Sequence, residues 1–202
     1  VCGSEYLASE KRARVVGVLE LFEGIPTVVF GYFALLFVTP LLQKVIPGLS
    51  LFNPLSAGLV MGFAILPYVS NVAADAMQSV PRSIREAAYA LGARPYEVAL
   101  KVVLPAALSG VIAAIILAAS RAIGETMIVA IAAGQRPTLT LDPRETIATM
   151  TSYIVQAATA DQPTGSTAYY ALFAVGFTLF LLTLALNVLA QYIVERYRER
   201  YE

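Results

Sequence analysis

Residues 162–194 read QPTGSTAYYALFAVGFTLFLLTLALNVLAQYIV, 33 consecutive positions without a charge. A helix needs roughly 20 apolar residues to cross the hydrocarbon core of a bilayer, so this run is long enough to span it. Pro163, Thr164, Gly165 and Ser166 are turn formers, and they place the start of the span at residue 167. Tyr169 and Tyr170 at one end, and Tyr192 and Tyr197 at the other, fit the aromatic belts of a membrane interface.

Three more uncharged runs lie upstream: 20 residues over 24–43, 30 over 45–74 and 19 over 102–120. The first opens with Gly24, Pro26, Thr27 and Gly31, small residues that let helices approach closely. Pro47, Gly48, Asn53 and Pro54 trim the second to 55–74; Pro67 can kink it, and Asp75 marks its end at the interface. The third continues past Arg121 and Glu125 into uncharged residues 126–135. As a single helix over 105–135 it would be about 45 Å long, against a core of about 30 Å, with Arg121 near its middle. The expected fold class is therefore all-α, a polytopic transmembrane helix bundle with four spans in this chain.

Composition agrees. Of 202 residues 58% are apolar and 14% charged, against about 25% charged in a soluble domain; mean hydropathy is +0.70. Basic and acidic residues balance at 14 each, so no global field points to nucleic acid. With no His and a single Cys, Cys2, a His/Cys metal site and a disulfide framework are both excluded. The chain starts at Val1 without a signal-peptide pattern and reads as a piece of a longer protein.

The basic residues are unevenly placed. With the N-terminus inside, the inner segments hold Lys11, Arg12, Arg14, Arg82, Arg85, Arg94, Lys101, Arg196, Arg198 and Arg200, and the outer ones hold Lys44, Arg136 and Arg144. This bias puts both termini in the cytosol. The last residues, Glu195–Glu202, read as an interfacial cap that snorkels to water.

The inner loop from Ser79 to Pro105 reads as two short helices. Pro81 suits the first position of one and Gly92 the residue after its end. Pro95 can open the second, and Pro105 marks a bend into the third span. Ile84, Ala87, Ala88 and Leu91 recur on one helical face, with Arg82, Arg85 and Glu86 off it. Physics alone leaves two roles open: a docking knob for a cytosolic partner, or a helix lying on the membrane surface.

In the third span Arg121 and Glu125 stand four apart, hence on one helix face. Charges at membrane depth are costly and usually face a bundle interior or a water-filled path. The pair either locks the helix, or Arg121 attracts an anion that Glu125 tunes. A guanidinium suits a tetrahedral oxyanion because its fork donates two parallel hydrogen bonds. On the outer side, Asp142-Pro143-Arg144-Glu145 reads as the N-cap of an amphipathic helix over 144–159, with Ile147, Met150, Ile154, Val155 and Ala158 on one face.

Glu86-Ala87-Ala88, three residues, Gly92, nine residues, Val102, one residue and Leu104-Pro105 resembles the EAA loop of binding-protein-dependent ABC importers. Val102 stands where that motif has Ile. Leu104 to Val111, Ser120-Arg-Ala-Ile-Gly-Glu-Thr126 and Ala132-Ala-Gly-Gln-Arg-Pro137 are similar to the permease subunits of phosphate-specific ABC importers. Met127 after Glu125-Thr126 resembles the C-type subunit more than its A-type partner.

The resemblance implies a permease domain over 1–202, with a coupling loop at 79–105 and an outer loop at 136–166. It implies six spans per subunit, two of them ahead of this chain. Glu86, Ala87, Ala88, Gly92, Leu104 and Pro105 would couple to a pair of ABC ATPase subunits. Arg121, Glu125 and Thr126 would line the translocation path. A homologous second permease, an outside phosphate-binding protein and membrane lipid would be the other partners, in a prokaryotic cytoplasmic membrane. The chain has no Gly-x-x-x-x-Gly-Lys-Ser/Thr loop, so ATP would be bound by the partner, with no cofactor or catalysis here. Molybdate or sulfate as the cargo, or a membrane assembly subunit without a pore, are the competing functions.

Overall fold

The computed structural model describes residues 14, 17–18, 21–160 and 163–197. Cys2, Lys11, Arg12, Arg198 and Arg200, on which part of the composition and charge reading rests, lie outside them. Among the described residues the regular structure is helical. The helices are α1 (Thr27–Gln43), α2 (Pro54–Gln78), α3 (Arg82–Ala90), α4 (Pro95–Ala106), α5 (Leu108–Gly124), α6 (Met127–Ala132), α7 (Met150–Thr159) and α8 (Thr167–Tyr197).

The four expected spans take three forms. The 25 residues of α2 and the stretch Thr167–Arg196 of α8 are each long and apolar enough to cross a membrane. Pro67 sits inside α2 without ending it. Where the third span is expected stand α4 and α5, which meet at 69° and are long and apolar enough to cross only if taken together. The fourth, α1, is apolar but shorter than the others. Charge-free runs show where a chain can enter lipid, not where its helices widen or bend. Turns of π-helix at Ala34–Val38 and Val98–Val103 stand just ahead of Pro40 and Pro105. A proline lacks the N–H for the carbonyl four residues back and clashes with it, and a widened turn relieves both. The bend falls at Ala107, two residues beyond the expected Pro105.

The chain divides into two compact units. One comprises residues 66–119 and 186–197 with the described residues up to Gly24. Its core is Met77, Val80, Ala88, Val98, Val103 and Ala107, from the end of α2, α3, α4 and the bend. A Cβ on Gly110 would lie 2.6 Å from the Cβ of Ala76, so α5 presses directly on the last turns of α2.

The other unit comprises Ile25–Ile65 and Ser120–Ala185. Phe30 and Ala34 of α1 pack with Ala57 and Val60 of α2 and with Ile128, Val129 and Ala132 of α6. At Gly31 a Cβ would stand 3.1 Å from Ile131 of α6, so the small residue expected to serve helix packing does so. A polar knot closes this core. Thr39, Asn53 and Ser56 are fully buried. Thr39 Oγ1 donates to Ser56 Oγ at 2.7 Å, the Asn53 amide donates to Ser50 O, and Asn53 Oδ1 caps α2 by accepting from Ser56 N at 2.8 Å. Asn53 N donates to Ala132 O at the end of α6. Buried polar groups cost free energy unless bonded, and each of these three is bonded.

In α8 the side chains of Phe173, Phe177, Phe180 and Val188 are exposed, as suits a helix bathed in lipid. Tyr169 sits edge-on to Tyr170 and Phe173 at its N-terminal end.

Candidate functional sites: a docking helix and a broken span

The first candidate site is α3 with the turn that follows. Pro81 stands at the N-cap with extended ψ, so the helix begins one residue later than expected. Gly92 has φ +81 directly after the cap residue Leu91, a left-handed position that glycine adopts without steric cost. Ala88 is buried and Ile84 is packed on the same cluster. Ala87 and Leu91 are not: both are exposed, Leu91 at 89%. This corrects the expected apolar face. The helix stops at Ala90, and Leu91, with ψ near 5°, is the cap residue at which the chain leaves the helical path.

Arg85 is a second correction, because it lies on the packed side. Its Nη2 donates to Met77 O at 2.7 Å, near the C-terminus of α2. Of the resemblance residues, Glu86 and Ala87 face outward, Ala88 inward, and Gly92 ends the helix. Leu104 is partly buried and Pro105 exposed in the last turn of α4. Glu97, near the start of α4, accepts from Arg94 N at 3.0 Å and pairs with Lys101 at 3.4 Å. Glu86, Ala87, Tyr89 and Leu91 are exposed on this loop, and so are the basic Arg82, Arg94 and Lys101.

The second candidate site is the end of α5. The continuous helix expected over 105–135 is interrupted twice, at Ala107 and again after Gly124. Arg121 is in the last turn of α5 and exposed, while its neighbour Ser120 is buried. Glu125 lies beyond the helix, so the expectation that Arg121 and Glu125 share a helix face is overturned. The Glu125 carboxylate instead accepts from the backbone N–H of Met127 at 3.1 Å and of Ile128 at 3.5 Å, capping α6. Thr126 Oγ1 donates to Gly124 O at 3.3 Å, and Thr151 Oγ1 of α7 donates to Glu125 O at 2.9 Å. The break is therefore held by side chains from within it and from α7. It places a permanently charged guanidinium beside an unwound stretch of backbone.

The helix expected on the outer side, α7, differs from its expected form. Its N-cap is Thr149, whose Oγ1 accepts from Ser152 N, and it spans Met150–Thr159. Asp142 is taken up by Arg144, with Nη2 to Oδ2 at 2.7 Å, in a turn rather than a cap. That contact holds the Asp142 carboxyl down at about 2. The buried side of α7 is Thr151, Ser152 and Ala157, while Met150 and Val155 are exposed. The later start and the bond from Thr151 to Glu125 turn the small polar side inward. Gly134, with φ +92, ends α6 against Thr146 and Phe52, and Thr146 Oγ1 donates to Phe52 O at 2.9 Å.

Known proteins share this architecture. Residues 9–199 match the family of binding-protein-dependent transport system inner membrane components. The probable ABC transporter permease protein YqgH of Bacillus subtilis is 32% identical over 89% of this chain. The phosphate transport system permease protein PstC of Xylella fastidiosa is 33% identical over 91%. The chain spans 58% and 62% of the lengths of these two relatives. Among solved structures, the MetNI methionine ABC transporter in an inward-facing conformation superposes with a TM-score of 0.64 at 16% identity, covering 93% of this chain and 78% of that one. The match over most of the chain, the apolar helices and the shared fold agree: this is a multi-pass membrane protein with the MetI-like type I permease fold, and it belongs to the inner-membrane components of binding-protein-dependent transport systems.

Proposed function

We propose that the chain is the permease subunit of an ATP-driven ABC importer that moves inorganic phosphate across the prokaryotic cytoplasmic membrane by alternating access. One observation carries the substrate: relatives named as phosphate transport permeases match 91–92% of the chain. The exposed Arg121 at the end of α5 supports it, because a guanidinium at membrane depth is costly and matches an oxyanion bidentately. In this reading Arg121 guides the anion. Glu125, engaged with the N–H groups of α6, holds the break open beside it, and Thr126 offers a hydroxyl there.

The remaining parts follow the family's logic. A substrate-loaded binding protein docks outside, and a homologous second permease completes the pore. Two ATPase subunits bind and hydrolyse ATP inside, and their closure pushes on the loop from Glu86 to Gly92. Both termini are cytosolic, as the basic residues of the inner segments direct. Leu91 and Tyr89, exposed beside Glu86, suit insertion into a groove of such a subunit.

Radiolabelled phosphate uptake into proteoliposomes holding the complete importer tests the reading. Uptake that unlabelled phosphate blocks, and that excess sulfate and molybdate leave intact, is the expected result. Competition by either of those anions reassigns the cargo, and an importer that assembles but carries none of the three makes this an assembly subunit.

A further inference from the structure

The docking helix and the end of α2 are joined by more than apolar packing. The last carbonyls of a helix have no donors within it and need partners from outside. At the end of α2, Asp75 O accepts from Ser79 N, and Ala76 O accepts from Ser79 Oγ at 2.8 Å. Met77 O accepts from Val80 N at 3.4 Å and, more closely, from Arg85 Nη2 at 2.7 Å. The last donor comes from α3, eight residues on. A cation is favoured at a helix C-terminus by the aligned peptide dipoles, and a charged donor makes the stronger hydrogen bond.

We propose that Arg85 is a positioning residue for coupling: its bond to Met77 O fixes the orientation of α3 on α2, so that a push on the docking surface moves α2 rather than rolling α3 on its apolar seat. The inference rests on the importer reading and deepens it. The apolar seat of Met77, Val80 and Ala88 is close-packed but non-directional. On its own it resists separation more than rotation. The guanidinium bond is directional, and it arises on the helix that carries the outward-facing Ala87, Tyr89 and Leu91. Ala76, the residue before Met77, is also where Gly110 brings α5 against α2. One bond therefore ties the docking helix to the place where two membrane helices meet.

The test uses the complete importer in proteoliposomes, with wild type, Arg85→Lys and Arg85→Met compared. The readout is anion transported per ATP hydrolysed, which does not depend on how much of each variant is folded. Phosphate, sulfate and molybdate are each supplied to the wild type, and the ratio is read on the one it carries. Arg85→Met is expected to keep hydrolysing ATP while the ratio falls by about five- to tenfold, the lower end of what one coupling interaction carries. Arg85→Lys, which can still donate to Met77 O, is expected to stay within about twofold of wild type. An unchanged ratio in Arg85→Met overturns the proposal, and so does a lysine variant as uncoupled as the methionine one. Wild type carrying sulfate or molybdate in place of phosphate overturns the phosphate reading alone, since the Arg85 ratio is still read on that anion.

Discussion

Arg85 and Glu125 each finish a helix end with a charged side chain, and they differ in where the charge comes from. Arg85 reaches the C-terminus of α2 from another helix, and its bond is embedded beside a closed apolar cluster. Glu125 caps the N-terminus of α6 from two residues away. Both obey the same electrostatics, cation at the carbonyl end and carboxylate at the amide end. The consequences are opposite. The first welds separate elements together; the second defines where one helix stops and the next begins, and leaves Arg121 exposed at that break. In the importer reading proposed above, the first joint would lie under the ATPase contact and the second along the anion path.

The largest effect is expected from attacking the stiff end. Gly110→Leu places a branched side chain where even a Cβ stands 2.6 Å from Ala76. Overpacking of this kind costs about 1–3 kcal/mol, and the detergent-solubilised importer should lose several degrees of melting temperature, with Gly110→Ala closer to wild type. Equal melting of the leucine variant and wild type would mean that α5 and α2 can separate freely there.

A smaller effect is expected at the broken end. Glu125→Ala removes the acceptor for two backbone N–H groups, a cap worth about 0.5–2 kcal/mol, and Glu125→Gln should recover part of it. Hydrogen exchange at Met127 and Ile128 is the direct readout. Faster exchange confined to α6 fits a local cap; faster exchange in α3 as well would erase the contrast between the two ends.

The contrast also explains what the amino-acid sequence conceals. α8 and α2 are legible because a charge-free run bounded by turn residues leaves a helix few alternatives, and Gly92 is legible because few residues tolerate its φ. Arg85 is misplaced by periodicity, which counts apolar side chains and ignores that a long stem can lie against a core while its head bonds a carbonyl. The break after Gly124 is hidden because residues 126–135 stay uncharged, so nothing local contradicts a continuing helix. Asp142 and Thr149 are both sound caps by type; Arg144 engages the first, and α7 starts at the second.

The exposed turn at Asp142 supplies the smallest effect and a reference for both ends. Its carboxyl is lowered from 3.8 to about 2 by Arg144, so its contribution is complete above pH 3.8 and lost as pH falls through about 2. Asp142→Asn should leave importer stability at pH 7 unchanged within error, as exposed ion pairs usually do. A clear loss of stability at pH 7 would show the turn to be part of a larger joint.

Arg121 decides the account most directly. In the complete importer, Arg121→Gln should retain normal assembly and ATP hydrolysis while phosphate uptake falls by about a hundredfold or more, the scale of losing a charged bidentate contact at an otherwise intact site. Arg121→Lys should fall between the two. Phosphate uptake by Arg121→Gln equal to wild type would contradict the claim that this guanidinium handles the transported anion.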